Sequence, residues 1–331
     1  MNNSVSTVTV IFTVYGPPGP YNLAFFIFIF VLYMSILCIN LFLVLVIYIE
    51  SSLHRPMYIL LVNLAISGVI GSSSVCPPVM KYLLMEKQES SLEGCLTQVF
   101  FSNVYGCWAY CILTLMAYDR YVSICKPLQY HSIMTPTKVK LLLAVVYLIP
   151  CSFVAVQVYL TSRIQLCKHT IDKLLCDNLA VVNLSCEKST FINVYGLFLL
   201  FCLIILPFLL VVLSYIHILM VSLKTSKESQ KKALGTCTPH LVTFINFSVA
   251  TLFGAIYNRL SLSLPRAVNI FITMNFVAIP PLLHPIIYGI KTQQIRCSIY
   301  KLPWILWTSK SHIHTPVLSC LLLEDSPQLA H

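Results

Sequence analysis

Few side chains in this sequence could carry chemistry, and the most conspicuous are an adjacent acid and base. Asp119 and Arg120 are the first charges after a long apolar segment that begins at Cys95. Folded as a helix, that segment is roughly 37 Å long, which is enough to cross a bilayer, so the pair lies at one membrane face. In one interpretation the pair only marks the point where a spanning helix enters water. In another it has a function at that face.

The remaining candidates for chemistry are scattered. His217, His240 and His284 fall in three separate stretches, without the spacing of a metal site. No pair of carboxylates occurs within an apolar stretch, and the middle of every such stretch lacks Asp, Glu, Lys and Arg. Because ion-coupled carriers and pumps keep charged groups inside the membrane, this pattern argues against a transporter and equally against an intramembrane enzyme. We expect no metal or cofactor, and we interpret the histidines as packed, hydrogen-bonded residues.

The amino-acid composition indicates a membrane protein, most of whose surface contacts lipid. The sequence is 58% hydrophobic and only 10% charged, and its mean hydropathy is +0.83, whereas soluble domains carry about 25% charge. The predicted fold is an all-α membrane protein, a bundle of seven transmembrane helices with no soluble domain. The seven apolar segments are Leu23–Ile49, Met57–Met85, Cys95–Ile124, Val139–Leu160, Phe191–Val221, Ala233–Tyr257 and Ala267–Ile290.

The distribution of basic residues predicts how the bundle is oriented. If the N-terminus is outside, the inner connections hold 13 of the 21 lysines and arginines against 5 acids, and the outer ones hold 8 against 6. This bias favours an extracellular N-terminus and a cytoplasmic C-terminus. We therefore expect an extracellular segment over 1–22, the seven-helix domain over 23–290 and a cytoplasmic tail over 291–331 with a short amphipathic helix. Residues 1–49 carry no charge, which argues against a cleaved signal peptide.

Four of the 14 cysteines lie at or between segment ends on the predicted outer side, where the environment is oxidising. They are Cys95, Cys167, Cys176 and Cys186, and four cysteines allow three pairings. Two sequons, at Asn2 and Asn183, also fall on that side and are candidate glycosylation sites. Cys297, after the seventh segment, is a candidate for palmitoylation.

The fifteen residues from Met116 to Tyr130, MAYDRYVSICKPLQY, closely resemble the signature at the inner end of the third helix of odorant receptors. These are rhodopsin-like seven-helix receptors of the plasma membrane. Further strings resemble the same family, and together they span about Asn40 to Arg296. They include LHRPMY at 53–58, Ser214-Tyr215, Lys232-Ala233 with His240-Leu241, and PLLHPIIY at 281–288.

The resemblance implies a multi-pass receptor that binds a small-molecule odorant, contacts membrane lipids and activates a stimulatory G protein to raise cyclic AMP. It implies a Cys95–Cys176 disulfide, which leaves Cys167–Cys186 as a second bridge. The residues implied in activation and G-protein coupling are Asp119, Arg120, Tyr121, Tyr215, His240 and Tyr288. The implied ligand-facing residues are Ser102, Asn103, Gly106, Cys107, Leu199, Leu200, Leu203, Thr251, Leu252 and Ala255. The small residues among them could instead serve close helix packing. No nucleic-acid partner is expected.

Arg259 lies 19 residues after His240, about 28 Å further outward along the sixth helix. By resemblance to some receptors for water-soluble odorants, we predict that it binds anionic ligands. Alternatively, it is an interfacial arginine that reaches water or pairs with Asp177 or Glu187.

The chain also departs from the family pattern. Gly68 stands where these receptors generally have an acid, Ser248 where an aromatic residue is usual, and His284 where asparagine is usual. Two further functions stay open as alternatives. One is a chemosensory receptor for a metabolite outside the nose, and the other is a transporter, which the lack of intramembrane charge disfavours.

Overall fold

Long helices make up most of the fold. The structure, a computed structural model, describes residues 9–187, 189–260 and 266–307. The first four crossings are α1 (Pro20–Ile49), α2 (Pro56–Leu84), α3 (Leu92–Cys125) and α5 (Pro136–Ser162), with the short α4 (Tyr130–Ile133) between the last two. After the short α6 (Asn178–Val182), the later elements are α7 (Thr190–Leu200), α8 (Leu206–Ser222), α9 (Lys227–Leu260), α10 (Arg266–Val277), α11 (Ile279–Lys291) and α12 (Gln293–Trp307).

Two crossings are less regular than the hydropathy pattern predicts. The fifth consists of α7 and α8 joined by a π-helical turn over Phe201–Ile205, just before Pro207. The seventh consists of α10 and α11, which meet at an angle of 45°. Pro280 and Pro281 stand at this break, where the missing N–H groups interrupt the helical hydrogen-bond ladder. Counting the bent pair as one span, the described residues contain seven helices long and apolar enough to cross a membrane.

Proline and hydroxyl side chains fix where the helices begin. α1, α2 and α5 each start with a proline in the first turn, where its missing N–H costs nothing. α3 begins at a serine cap, because the Ser91 hydroxyl accepts a hydrogen bond from the Gly94 amide at 3.1 Å. Thr135 caps α5 in the same way.

Close approach of α2 to its neighbours depends on two glycines. A Cβ atom placed on Gly71 would lie 2.3 Å from the ring of Tyr105 on α3, which is not physically possible. A Cβ atom on Gly68 would lie 3.0 Å from the Pro281 side chain on α11. Gly68, one of the departures from the family that the sequence resembles, thus has a packing role in this protein.

A small sheet at the outer end ties the N-terminal segment to the loops. β1 (Thr9–Phe12) lies between β2 (Glu89–Ser91), with which it pairs antiparallel, and β3 (Thr170–Ile171), with which it pairs parallel. The Tyr15 hydroxyl donates a 2.6 Å hydrogen bond to the carbonyl of Leu174. The extracellular segment expected over 1–22 is therefore, from Thr9 onward, a packed part of the outer face.

Candidate functional site

A cavity of about 270 Å³ lies in the outer half of the bundle, beneath the loop between α5 and α7. We call residues 163–187 of this loop the lid. Side chains of α3, α5, α7, α9 and α10 form the walls, and Leu175 and Cys176 of the lid contribute to the roof. The predicted ligand-facing residues that line the cavity are Ser102, Asn103, Gly106, Cys107, Leu199, Leu200, Thr251, Ala255 and Arg259.

Two predicted ligand-facing residues, Leu203 and Leu252, are not among the side chains that line the cavity. Leu203 is buried in the π-helical turn and belongs to an apolar cluster with Val104 and Val154. The π-turn breaks the usual four-residue period, so Ile204, five residues after Leu199, reaches the cavity. Leu252 follows Thr251 directly, and successive helical residues point about 100° apart.

Among the side chains that the structure describes, three charged ones line the cavity, and two of them pair with each other. Lys173 and Asp177, both in the lid, form an ion pair with an Nζ to Oδ2 distance of 2.7 Å. Arg259, on α9, makes no ion pair with any residue that the structure describes. Its guanidinium extends toward α7, where the backbone of Gly196 leaves room for it. The suggested pairing of Arg259 with Asp177 or Glu187 is therefore not found.

Two disulfides and a network of hydrogen bonds hold the lid over the cavity. Cys95, at the outer end of α3, is bonded to Cys176, and Cys167 is bonded to Cys186. The amide of Cys176 also donates a 2.9 Å hydrogen bond to the side chain of Gln98. Both pairings are the ones implied by the family resemblance. Asn183 is exposed at the end of α6 and stays a predicted glycosylation site, while Asn2 lies outside the described residues.

At the inner end of α3, a buried carboxylate is satisfied by two neighbours. Asp119 is inaccessible to solvent, and its Oδ2 lies 2.9 Å from Nη2 of Arg120. Its Oδ1 accepts a 2.8 Å hydrogen bond from the hydroxyl of Tyr130 on α4. Burial, together with the negative charge of Asp119, raises the pKa of Tyr130 well above its usual range. The phenol therefore remains a protonated donor at physiological pH.

A second polar link joins three helices nearby. His240 of α9 is fully buried, and its Nε2 lies 2.8 Å from the carbonyl of Leu113 on α3. Because a carbonyl only accepts, this nitrogen carries the proton, and Nδ1 accepts a 2.7 Å hydrogen bond from the hydroxyl of Tyr215 on α8. Tyr288 of α11 is also fully buried at this level. Tyr121 instead packs edge-on against His217.

Comparison with known proteins identifies the family. The olfactory receptor family model matches residues 28–304 of this chain. Human olfactory receptor 52K2 is 34% identical over 308 residues, which cover 90% of this chain and 96% of that protein. Human olfactory receptor 52K1 is 32% identical, over 89% of this chain and 95% of its own length. The chain belongs to the olfactory receptor family.

This olfactory receptor also has the fold of a solved seven-helix receptor. Squid rhodopsin superposes with a TM-score of 0.73 over 98% of both chains, at 16% sequence identity. Membership of the family makes the protein a multi-pass receptor of the plasma membrane that binds small odorant molecules and acts through a G protein, and not an enzyme.

Sequence reasoning missed several polar residues of the olfactory receptor's cavity. Gln157 lines it from α5, Asn193 from α7, and Asn269 and Thr273 from α10. A signal for Gln157 was present, because an amide between Val156 and Val158, near the outer end of an apolar segment, needs a polar partner.

Ser248 and His284, two of the departures from the family pattern, are both buried. Ser248 follows Phe247 directly on α9, and the ring centre of His284 lies 6.2 Å from that of Phe247. They therefore lie beneath the cavity, and neither of them lines it.

Proposed function

We propose that this receptor detects small anionic odorants, carboxylates above all, which Arg259 anchors in the outer cavity. The observation that carries the proposal is the charge balance of the cavity. Lys173 and Asp177 neutralise each other, so Arg259 contributes a positive charge that no described acid compensates. A guanidinium can donate two parallel hydrogen bonds to one carboxylate, which neither an alcohol nor an ester accepts as strongly.

The size of the cavity favours short ligands. Its volume of about 270 Å³ lies just below the range of about 300–1,000 Å³ that is usual for small-molecule pockets. Apolar side chains such as Leu199 and Leu200 of α7 and Ile204 of the π-helical turn line the inner part of the cavity wall, so they suit a short alkyl chain directed away from Arg259. A carboxylic acid with a usual pKa near 4.3 is ionised at pH 7 and would supply the missing negative charge.

We further propose that ligand binding is transmitted through α9 to a stimulatory G protein. α9 carries Thr251 and Arg259 in the cavity and His240 in the inner link, so a displacement of this helix alters both. Outward movement of its inner end would break the hydrogen bonds of His240 and release Arg120 from Asp119. The exposed side chains of Lys224, Lys227 and Lys231 lie at or beside the start of α9 and form a basic rim for the G protein. The same lysines also suit contact with anionic lipid.

The test compares straight-chain carboxylic acids with alcohols of equal chain length, using cyclic AMP in cells that express the receptor. Acids should be more potent, and Arg259→Ala should remove most of that advantage at unchanged surface level. The matched control is Arg163→Ala, because Arg163 is also an outer arginine but stacks on Tyr159, with 5.1 Å between its Cζ and the ring centre. Equal potency of acids and alcohols, or an Arg259→Ala receptor that keeps its acid response, would show the anionic class to be wrong.

The coupling step needs its own measurement. Cells lacking the stimulatory Gα subunit should lose the cyclic AMP response, and re-expression of that subunit should restore it. A response that persists through another G-protein class in the deleted cells would contradict the stimulatory assignment without affecting the ligand assignment.

A further inference from the structure

A second hydrogen-bond donor of the cavity lies beside the guanidinium of Arg259. Gln157 is 7% exposed and extends from α5 toward Gly196 on α7. A Cβ atom placed on Gly196 would lie 3.3 Å from Nη2 of Arg259 and 3.6 Å from Nε2 of Gln157. The two nitrogens, from α9 and α5, therefore both lie next to one point on α7. Both donate hydrogen bonds and neither accepts one.

The orientation of the Gln157 amide is set from its other side. Its Oε1 accepts a 3.3 Å hydrogen bond from Nδ2 of Asn103 on α3. The oxygen is thereby occupied, and the NH₂ group is left facing Gly196 and Arg259. Among the described residues, the only side-chain hydrogen bond of Gln157 is the one that its Oε1 accepts, so this NH₂ group makes none. Nε2 of Gln157 is not an enclosed atom without a partner, and both Gln157 and Arg259 line the cavity, so an acceptor on a bound ligand can reach the two donors together.

We infer that Gln157 and Arg259 together form a two-donor site for the carboxylate group of the ligand, with Asn103 as the positioning residue for Gln157. Gly196 keeps the floor of this site open. The inference rests on the proposed function, because it takes the ligand to be an anion anchored by Arg259. A carboxylate has two oxygens and can accept from both nitrogens at once. An alcohol has one oxygen and brings a donor of its own, for which these two groups offer no acceptor.

The alternative role for Gln157 is purely structural, because its hydrogen bond to Asn103 also joins α5 to α3. The two roles differ in what a substitution does to ligands of different charge. A structural role predicts an equal loss of response to every agonist. A carboxylate-binding role predicts a loss confined to acids.

Two variants of nearly unchanged length separate these roles. Gln157→Met removes the donor and keeps the bulk, and we expect acid potency to fall about tenfold, the usual effect of one hydrogen bond to a charged group. Gln157→Glu places a carboxylate beside Arg259, which then pairs within the protein, and we expect acid potency to fall at least as far as in Arg259→Ala. The potency of neutral agonists, here the alcohols of matched chain length, should change less than about threefold in both variants.

The measurement uses the full-length receptor in cultured cells, with cyclic AMP normalised to surface-labelled receptor. Carboxylic acids and alcohols of four to six carbons serve as probes. Loss of acid potency with retained alcohol potency supports the inference.

Three results overturn it. The first is unchanged acid potency in Gln157→Met and Gln157→Glu. The second is an equal loss of potency for acids and alcohols, and the third is failure of both variants to reach the surface. The second and third results would assign Gln157 a packing role. If Arg259→Ala still abolishes the acid response, the proposed function stands while this inference fails. If Arg259→Ala has no effect, the proposed function itself fails.

Discussion

The outer and inner halves of the bundle treat their polar side chains in opposite ways. In the inner half, the carboxylate of Asp119 and the imidazole of His240 are fully paired with neighbours, although Nε of Arg120 and the hydroxyl of Ser222 have no hydrogen-bond partner among the described residues. Both carboxylate oxygens of Asp119 are hydrogen-bonded, and both ring nitrogens of His240 have partners. In the outer half, Arg259 and the amide nitrogen of Gln157 face the cavity without an acceptor among the described residues.

This difference assigns different roles to the two halves: the outer half binds the ligand, and the inner half stabilises one conformation of the receptor. Donors without acceptors favour a ligand, because the ligand replaces hydrogen bonds that the protein does not make by itself. Groups that satisfy one another favour the state in which they are found, and they must separate for that state to change. A ligand therefore acts by having different affinities for the two arrangements, and a 100-fold preference is worth about 2.7 kcal/mol.

A layer of aromatic rings separates the two halves. The centre of the Phe247 ring on α9 lies 5.0 Å from the ring centre of Tyr110, 5.9 Å from that of Tyr105 and 6.2 Å from that of Phe276. Phe276 lines the cavity, and Thr251 stands one turn outward from Phe247 on the same helix. Because dense packing does not deform smoothly, a shift of α9 at the cavity requires this layer to repack.

The outer half also differs in being covalently closed, and its disulfides give the largest expected effect. Cys95 and Cys176 are 81 residues apart in sequence, and Cys167 and Cys186 are 19 apart. Chain-entropy estimates for loops of these lengths are about 4.5 and about 3 kcal/mol. We expect Cys95→Ser to remove nearly all receptor from the cell surface and Cys167→Ser to remove less.

Surface labelling of unpermeabilised cells, with Cys38→Ser as the matched control, measures this difference. Cys38 is an exposed cysteine without a disulfide partner among the described residues. Normal surface levels of Cys95→Ser would contradict the view that the lid depends on this bridge.

Arg120→Ala should have the next largest effect, on signalling and not on folding. The guanidinium is partly exposed at the inner face, so its loss leaves little new buried surface, although Asp119 loses one of its two partners. We expect ligand-driven cyclic AMP to disappear while surface labelling stays within about twofold of wild type. An undiminished response at normal surface level would remove Arg120 from the activation mechanism.

Much of this architecture could be predicted from the sequence, because it depends on local or family-wide features. The lengths of the apolar segments alone indicate seven membrane spans. The position of Asp119 and Arg120 at a membrane face could be predicted because the third apolar segment ends there. The two disulfide pairings followed from resemblance, since the residues alone allowed three pairings. Most of the positions on α3 and α9 that line the cavity were predicted in the same way.

What could not be predicted depends on contacts between distant segments. β1 pairs with strands about 80 and 160 residues away, and nothing in its four residues signals those partners. The π-helical turn, which leaves Leu203 out of the cavity, is a change of period that hydropathy does not report. The role of Gln157 depends on Asn103 and Arg259, which lie on other helices.

Tyr130→Phe tests the inner half more gently than Arg120→Ala. The substitution removes the hydrogen bond to Oδ1 of Asp119 and keeps the ring. Because Tyr130 is half-buried, we expect the resting state to lose about 1.5 kcal/mol, the low end for hydrogen bonds to a charged group, and ligand-independent cyclic AMP to rise about tenfold. Since its pKa is raised, Tyr130 donates at every pH from 6 to 9, and wild-type basal activity should not follow its ionisation there. Unchanged basal activity in the variant would show that this bond does not hold the resting state.

Gly196→Ala is expected to have the smallest effect, and it tests the role of the outer half of the bundle in binding the carboxylate. The added methyl group would lie 3.3 Å from Nη2 of Arg259 and 3.6 Å from Nε2 of Gln157, so the mobile guanidinium must give way by a few tenths of an ångström. We expect acid potency to fall about two- to fivefold, because charge-assisted hydrogen bonds lose strength when the donor leaves its preferred distance. Alanine is favoured over glycine within a helix by about 1 kcal/mol, so the variant should reach the surface at least as well as wild type.

Gly254→Ala is the matched control, since a Cβ atom there meets no described atom within 4 Å although Gly254 also lines the cavity. Equal effects of the two substitutions on acid potency would mean that the space at Gly196 has no special part in binding the carboxylate.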